Sequence, residues 1–272
     1  MRIFVTSDDG TGAPGLAALS QNMLAAFPDT VVAAPVSDCG GCGTSVRADT
    51  LWPGNGYTGR SESPSSRVHA LFAPPAALVL AACDGVFGPP PDLVVVGVNY
   101  GPNVGRAMLH SGTFGAALTA ATAGVRAVAV SLDDVYSTGG REDGLMHWET
   151  AVAVALPLVR WLARTPPGTA LNVNVPNRQL HAIHGVRAAR PAARRHTLRL
   201  DQERGRLEEC PGAPFDLGQE KEGSDMALLA AGYVTLTPLG LLTGGVVDPC
   251  PVADWLEATL TEEGNRERTP GG

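Results

Sequence analysis

The chain has 272 residues, of which 44% are hydrophobic, enough to bury the core of one large α/β domain. Its formal charge is −7, from 27 acidic and 20 basic residues, a balance that does not favour a nucleic-acid polymer as partner. The N-terminus begins as a strand rather than as a cleavable leader, and the most apolar stretch, residues 73–83, is too short to span a bilayer. We therefore expect a cytoplasmic protein without a membrane partner.

Short apolar runs alternate with helical patterns along most of the chain. Strands are predicted at residues 3–6, 30–34, 92–98, 125–132, 170–175 and 232–239, and helices at 14–27, 76–86, 113–123, 147–163 and 252–260. This order favours a mostly parallel sheet built from right-handed crossovers, with helices on both faces. The predicted fold class is therefore α/β, of the doubly wound type.

Two stretches interrupt this rhythm. Residues 36–67 are rich in Gly, Ser, Pro and Asp and predict loops with a short hairpin. Residues 185–206 contain many arginines and alternating apolar residues, which predict an extended hairpin, either a solvated ribbon or an arm for oligomer contacts. We expect a single domain whose core comprises residues 1–176 with 225–263, and whose arm spans about 177–224.

Residues 10–15, GTGAPG, match the spacing of a dinucleotide-binding loop. They follow a strand, open a helix and have Asp38 at the distance of a ribose-binding acid. Asp8 and Asp9 stand just before this loop, however, where two carboxylates would repel a pyrophosphate. We therefore favour a cation site at this strand end over a dinucleotide site.

The predicted cation site combines Asp8 and Asp9 with Asn99. Adjacent carboxylates need a cation or a proton to lie together, and their hard oxygens suit Mg²⁺, Mn²⁺ or Ca²⁺. Asn99 emerges at the same sheet edge, because it ends the strand predicted at 92–98, and offers a neutral amide oxygen. The alternative roles are purely structural: one of the two aspartates would cap the following helix, and Asn99 would be an ordinary turn residue. Either aspartate is also a candidate catalytic base.

Ser111, Gly112 and Thr113 lead directly into the helix predicted at 113–123. Hydroxyls and unpaired N–H groups at a helix N-terminus bind anions, and Gly112 lets the backbone approach a phosphoryl group. The alternative, a helix cap by Ser111 or Thr113, is compatible with this role. Together with the cation site, this turn predicts metal-assisted phosphoester hydrolysis, with His110 as a candidate acid.

An ordered set of motifs resembles the SurE family. The segments are TSDDG at 6–10, APG at 13–15, GVNYGPN at 97–103, SGT at 111–113, NVNVP at 172–176 and GYVTLTP at 232–238. The resemblance runs along most of the chain. It implies a cytoplasmic 5′/3′-nucleotidase or general phosphomonoesterase with a Rossmann-like core, a divalent metal, and homodimers or homotetramers joined by C-terminal elements. It gives the arm an oligomeric role.

The resemblance also assigns residues. The two metal-binding aspartates of the family fall on Asp8 and Asp9, and its metal-binding asparagine falls on Asn99. Its phosphate contacts fall on the turn 111–113, with Asn103 nearby. The implied cofactor is a divalent cation, Mg²⁺ or Mn²⁺, and the implied partner is a small phosphorylated substrate.

This chain departs from the family pattern near the site. Ser7 replaces an asparagine, Gly40 aligns with a ligand serine, and FAPPA at 72–76 replaces GTPAD, which indicates altered specificity. Gly40 lies between Cys39 and Cys42, so a thiolate could replace the lost ligand and favour zinc. The alternative is a pair of reduced thiols with water in the vacancy. The spacing of the two cysteines also permits a redox disulfide.

These departures leave two functions open. The first is an active phosphomonoesterase acting on nucleoside monophosphates or a related phosphorylated metabolite, because the Asp-Asp-Asn set is retained. The second is a nucleotide-binding or scaffolding oligomer that lost turnover together with the ligand serine. The loop at 39–44 and metal occupancy discriminate between them.

Overall fold

The computed structural model describes residues 1–46, 58–60, 68–136, 145–193, 198–202, 204–209, 222–239 and 248–267. The strands in these residues are β1 (Ile3–Thr6), β2 (Thr30–Pro35), β3 (Thr58–Arg60), β4 (Val68–Leu71), β5 (Leu93–Tyr100), β6 (Arg126–Asp133), β7 (Ala170–Pro176), β8 (Val186–Ala188), β9 (Leu198–Asp201), β10 (Arg206–Glu209) and β11 (Val234–Pro238). The α-helices are α1 (Pro14–Ala26), α2 (Pro75–Cys83), α3 (Gly112–Thr122), α4 (Trp148–Leu162), α5 (Asp225–Ala230) and α6 (Pro249–Glu267). Short 3₁₀ turns occupy Gly105–His110 and Leu180–Ala182. Of these helices, none has both the length and the apolar character that crossing a bilayer requires.

Nine strands form one sheet in the order β3-β4-β2-β1-β5-β6-β7-β11-β8. The six strands from β4 to β7 are parallel to their neighbours. At one edge β3 is antiparallel to β4, and at the other β11 is antiparallel to β7 and carries β8 parallel to itself. The predicted mostly parallel α/β fold is confirmed.

Helices cover both faces of this sheet and bury two apolar cores. On one face, large side chains of α1, α4 and α6 pack against the strands, among them Leu19, Leu158 and Leu256, each fully buried. On the other face, α2 and α3 pack through small residues such as Ala116 and Ala120. Both helix layers keep their apolar sides on the sheet, as a layered α/β fold requires.

The arm region differs from the prediction. Residues 186–188, expected to belong to the hairpin, form β8 in the main sheet and pair with β11. The antiparallel hairpin consists instead of β9 and β10. Alternating apolar residues are typical of an edge strand as well as of a hairpin, so the pattern could not separate the two. The predicted division into core and arm stays a prediction.

Two further elements were absent from the predicted set. β4 lies beside β2, and α5 packs on β11 and β7. Both are short, at four and six residues, so neither shows a sustained periodicity. Within the stretch 36–67, where a short hairpin was expected, residues 58–60 form β3, which pairs antiparallel with β4. Residues 47–57 and 61–67 lie outside the described part of the chain, so the expected hairpin stays a prediction.

Gly15 sets the distance between α1 and the sheet. A Cβ atom there would lie 2.1 Å from the carbonyl oxygen of Val98 and 2.8 Å from the ring of Trp148. Both neighbours belong to elements that border the site, β5 and α4. A side chain at residue 15 would therefore separate α1 from the strand that carries Asn99.

We expect Gly15→Ala to lower the free energy of unfolding by about 2 kcal/mol, because overpacking against backbone outweighs the gain in helix propensity. The midpoint of urea unfolding, followed by circular dichroism, measures this loss. Gly12→Ala is the matched control, since a Cβ atom at Gly12 meets nothing within 4 Å. Equal midpoints for the two variants would contradict the proposed packing constraint.

Candidate active site

Most of the predicted site residues line one cavity of about 820 Å³. It lies at the carboxyl ends of β1 and β5, where ligands gather in open α/β sheets. Its wall includes the predicted residues Asp8, Asp9, Gly40, Asn99, Asn103, His110 and Ser111. The strand order explains the convergence, because β1 and β5 are direct neighbours.

Asp8 is buried at the end of β1, with 3% of its surface exposed. Its carboxylate accepts hydrogen bonds from the side-chain hydroxyl and the backbone N–H of Thr113. Burial raises the pKa of Asp8, and these hydrogen bonds offset part of that rise. The N-terminus of α3 therefore already holds one anion, the carboxylate of Asp8.

Asn99 presents an amide oxygen to the same point. Its Nδ2 donates to the carbonyl oxygens of Tyr100 at 3.1 Å and Gly101 at 2.6 Å. This fixes the amide so that Oδ1 lies 3.2 Å from the hydroxyl oxygen of Thr113, which also donates to Asp8. The hydroxyl group of Thr113 thus contacts both a carboxylate oxygen of Asp8 and the amide oxygen of Asn99.

Asp9 is half-buried and faces the cavity. Its Oδ2 accepts the backbone N–H of Tyr100 at 2.9 Å. The pKa of Asp9 is raised to about 7, chiefly by burial and also by the charges of Asp8 and Asp38, against the opposing effect of that hydrogen bond. Without a cation, Asp9 therefore takes up a proton near neutral pH.

The residues present fit a hard divalent cation. In the described residues, neither Asp8 nor Asp9 forms an ion pair with an arginine or a histidine. No group of three His, Cys, Asp or Glu side chains gathers there to hold a metal by itself. Together with the amide oxygen of Asn99, the two carboxylates form an all-oxygen set of the kind that suits Mg²⁺ or Mn²⁺.

The predicted phosphate turn divides into two parts. Ser111 lies on the cavity wall and caps α3, since its Oγ accepts the N–H of Phe114 at 3.1 Å. Gly112 and Thr113 lie behind Asp8, and a Cβ atom at Gly112 would lie 2.8 Å from Asp8 Oδ2. The helix cap is confirmed, whereas phosphate binding by the turn stays a prediction.

Asn103 is held by a layer of polar groups that the sequence analysis did not assign. Its Nδ2 donates to Ser131 Oγ at 2.8 Å, and its backbone N–H donates to Asn174 Oδ1 at 2.7 Å. Its carbonyl oxygen accepts from the amides of Asn172 at 2.9 Å and Asn174 at 3.0 Å. The i, i+2 spacing of these two asparagines on β7 was the available signal, because it places both on one face.

The loop after β2 is tied to both halves of the site. The N–H of Cys39 donates to the carbonyl oxygen of Asp8 at 2.9 Å, and the N–H of Gly43 donates to that of His110 at 3.1 Å. His110 is exposed at the rim of the cavity. The loop therefore connects the segment of Asp8 with the turn before α3, and acid catalysis by His110 stays a prediction.

Within this loop, Gly40 offers no side-chain ligand. It is exposed on the cavity wall, and its N–H donates to Asp38 Oδ1 at 2.6 Å. The sulfurs of Cys39 and Cys42 are 3.6 Å apart and form no disulfide. A thiolate ligand for zinc stays a prediction.

The cavity wall also contains the aromatic side chains of Tyr100, Tyr136 and Trp148, to which the sequence analysis gave no role. Tyr100 is 53% exposed, and its ring centroid lies 6.3 Å from that of Trp148. Tyr100 follows the predicted ligand Asn99 directly, which was the signal for its position. Its backbone N–H binds Asp9, so the aromatic wall adjoins the carboxylates.

Comparison with known proteins identifies the family. A sequence model described as Survival protein SurE matches residues 3–198. The chain is 34% identical over 244 residues to a protein named 5′/3′-nucleotidase SurE from Cronobacter sakazakii, covering 88% of this chain and 90% of the relative. A Salmonella paratyphi B protein of the same name is 32% identical over 263 residues, covering 95% and 97%. The solved SurE protein of Aquifex aeolicus superposes with a TM-score of 0.70 at 25% identity, covering 89% of this chain and 94% of that one. These matches confirm the resemblance found in the motifs, and the chain belongs to the SurE family.

Proposed function

We propose that this protein is a metal-dependent phosphatase that hydrolyses nucleoside monophosphates. The observation that carries the proposal is the buried Asp8 carboxylate beside Asn99 Oδ1, with Asp9 on the cavity wall and no cationic side chain paired to either aspartate in the described residues. The relatives named 5′/3′-nucleotidase support the substrate class. The alternative is a nucleotide-binding scaffold without turnover.

Asp8, Asp9 and Asn99 would hold the cation. A bound divalent cation supplies Lewis-acid stabilisation of the charge on the phosphoryl oxygens. Thr113 keeps Asp8 oriented through two hydrogen bonds, and the backbone carbonyls after Asn99 keep its amide oxygen turned inward. The chain thus fixes the ligands before any substrate arrives.

Proton transfer falls to residues on the cavity wall. Asp9 is better placed as the base than Asp8, because Asp8 is buried and held by Thr113 while Asp9 faces the cavity. Ser111 accepts the N–H of Phe114, which leaves its own hydroxyl proton to donate to a phosphoryl oxygen. His110 lies on the same wall and is our candidate for protonating the leaving oxygen.

The aromatic wall supports a nucleoside rather than a simple sugar as leaving group. Tyr100 presents an exposed ring beside the carboxylates, and Trp148 backs it. A nucleobase stacks on such a surface, which contributes about 1–3 kcal/mol per base. The position of Tyr100 next to Asn99 in sequence keeps the base subsite and the metal ligands on one rigid strand end.

The hairpin formed by β9 and β10 supports the proposed homo-oligomer. Leu200 and Leu207 pair across the hairpin and are 58% and 66% exposed. Two large apolar side chains side by side in solvent favour contact with another surface. We assign that surface to a second copy of this chain.

Asp8→Asn should lower metal-dependent phosphate release from AMP by about a hundredfold or more, because it removes a charged ligand from the site. The measurement is phosphate release from a panel of nucleoside monophosphates and sugar phosphates with Mg²⁺, Mn²⁺, Zn²⁺ or chelator. Asp84→Asn, an exposed change after α2 and away from the cavity, serves as the matched control. Absence of release from wild-type protein with every metal and substrate would favour the scaffold.

Asp9→Asn should stabilise the metal-free protein at neutral and higher pH. The pKa of Asp9 is raised from its ordinary 3.8 to about 7, so the folded state binds this proton more tightly than the unfolded state. The ionised carboxylate therefore destabilises the folded state by an amount that grows as pH rises from 4 to 7 and reaches its full value above pH 7. We expect the variant to be about 3 kcal/mol more stable than wild type at pH 8 in chelator, with a smaller difference at pH 5.

Urea unfolding at pH 5 and pH 8, in chelator and in Mn²⁺, measures the difference in stability between Asp9→Asn and wild type. Mn²⁺ should stabilise wild type and much less the variant, because the cation binds only the folded site. Asp84→Asn again provides the control. A stability gain that does not depend on pH would contradict the assigned titration.

Tyr100→Leu should lower kcat/KM for AMP about tenfold through loss of base stacking. It should leave kcat/KM for ribose 5-phosphate unchanged, because that substrate has no base. Tyr100→Phe, which keeps the ring, should behave as wild type with both substrates. Equal losses with both substrates would contradict a base subsite and assign Tyr100 to general positioning.

A further inference from the structure

The loop after β2 carries a pair of thiols for which the proposed hydrolysis has no use. The sulfurs of Cys39 and Cys42 are 3.6 Å apart, within hydrogen-bond distance, and both side chains are half-buried and form no disulfide. The N–H of Cys42 donates to the carbonyl oxygen of Cys39 at 3.2 Å, which closes a four-residue turn. The Cα atoms at the two ends of such a turn lie within about 7 Å, a separation that a disulfide can bridge.

The cavity gives access to this turn. Its two central residues, Gly40 and Gly41, are exposed and form part of the cavity wall. Neither has a side chain that would cover the sulfurs. A small reagent that enters the cavity therefore approaches the dithiol from the same side as a substrate.

We propose that Cys39 and Cys42 form a thiol–disulfide exchange site for low-molecular-weight disulfides. The thiolate of one cysteine attacks a sulfur of the small disulfide, forms a mixed disulfide and releases one small thiol. The other cysteine then attacks the protein sulfur of that mixed bond and releases the second thiol. The protein loses two electrons and two protons, and the small disulfide is reduced to two thiols.

This exchange would alter the neighbouring active site. The sulfurs must approach from 3.6 Å to about 2.05 Å. The backbone N–H of Cys39 is hydrogen-bonded to the carbonyl oxygen of Asp8. The sulfur of Cys42 faces Gly112, and a Cβ atom added at Gly112 would lie 2.6 Å from that sulfur. Closing the bond therefore shifts groups that touch both the metal carboxylates and the turn before α3. A displacement of about 1 Å in such a site costs up to about a hundredfold in rate.

The exchange itself is independent of the proposed phosphatase activity, whereas its effect on turnover rests on that activity. The first experiment therefore tests the bond alone. The full chain is equilibrated with mixtures of reduced and oxidised glutathione, free thiols are alkylated, and peptides are analysed by mass. We expect a peptide containing linked Cys39 and Cys42, lighter by two hydrogen atoms, while Cys83 remains alkylated. The proposal would be overturned if both Cys39 and Cys42 were still alkylated in the most oxidising mixture. It would also be overturned if a mixed disulfide with glutathione persisted at either of these two cysteines.

The second experiment compares the oxidised and the reduced protein. Oxidation should lower kcat/KM for AMP at least about tenfold and weaken Mn²⁺ binding, measured by electron paramagnetic resonance, and a dithiol reductant should reverse both. Cys83→Ser should respond as wild type does, and the double variant Cys39→Ser/Cys42→Ser should not respond. If the reduced protein has no phosphatase activity, the change in Mn²⁺ affinity on oxidation still tests whether the disulfide affects the site. A linked pair that changes neither quantity would refute the coupling to the site.

Discussion

The burial of the Asp8 carboxylate is the constraint on which the site depends. A carboxylate taken out of water loses several kcal/mol of solvation and must recover it through hydrogen bonds, a proton or a cation. Here the N-terminus of α3 supplies hydrogen bonds through Thr113, but Asp9 and Asp38 add charge of the same sign. The fold compensates this charge only in part. That residual deficit is the physical basis of our proposal that the site binds a cation.

The other proposed site residues on this side of the cavity, Asn99 and Asn103, lie at or just after the end of β5. The pairing of β5 with β6 shifts register between Val96 and Asn99, which marks an irregularity of the kind that re-aims side chains near active sites. Asn99 is then locked by two carbonyl oxygens, and Asn103 by groups from β6 and β7. Most of these contacts come from the central strands β5, β6 and β7, which tie the site to the sheet.

The sequence predicted those parts that depend on local pattern. The bounds of β1 and α1 agree with the predicted bounds within one residue, because apolar runs and a proline at the first helical turn mark them. Asp8, Asp9 and Asn99 were predicted to converge because each follows a parallel strand. Thr113 shows where this reasoning stops: a helix N-terminus signals an anion but not which one. Ser131 and Trp148 were missed because their contacts with the site join segments distant in sequence.

The charge of the cavity would couple the proposed binding of a phosphate ester to the proposed binding of a cation. The carboxylates of Asp8, Asp9, Asp38 and Asp134 all line the cavity, and the chain as a whole carries a charge of −7. A phosphate monoester brings about two further negative charges, which these carboxylates repel at short range. Any cation that lowers this repulsion raises the affinity for the phosphate, and by thermodynamic reciprocity the phosphate raises the affinity for the cation by the same factor. In the proposed function, the acidic wall would thus disfavour a phosphate ester without a cation and favour the two together.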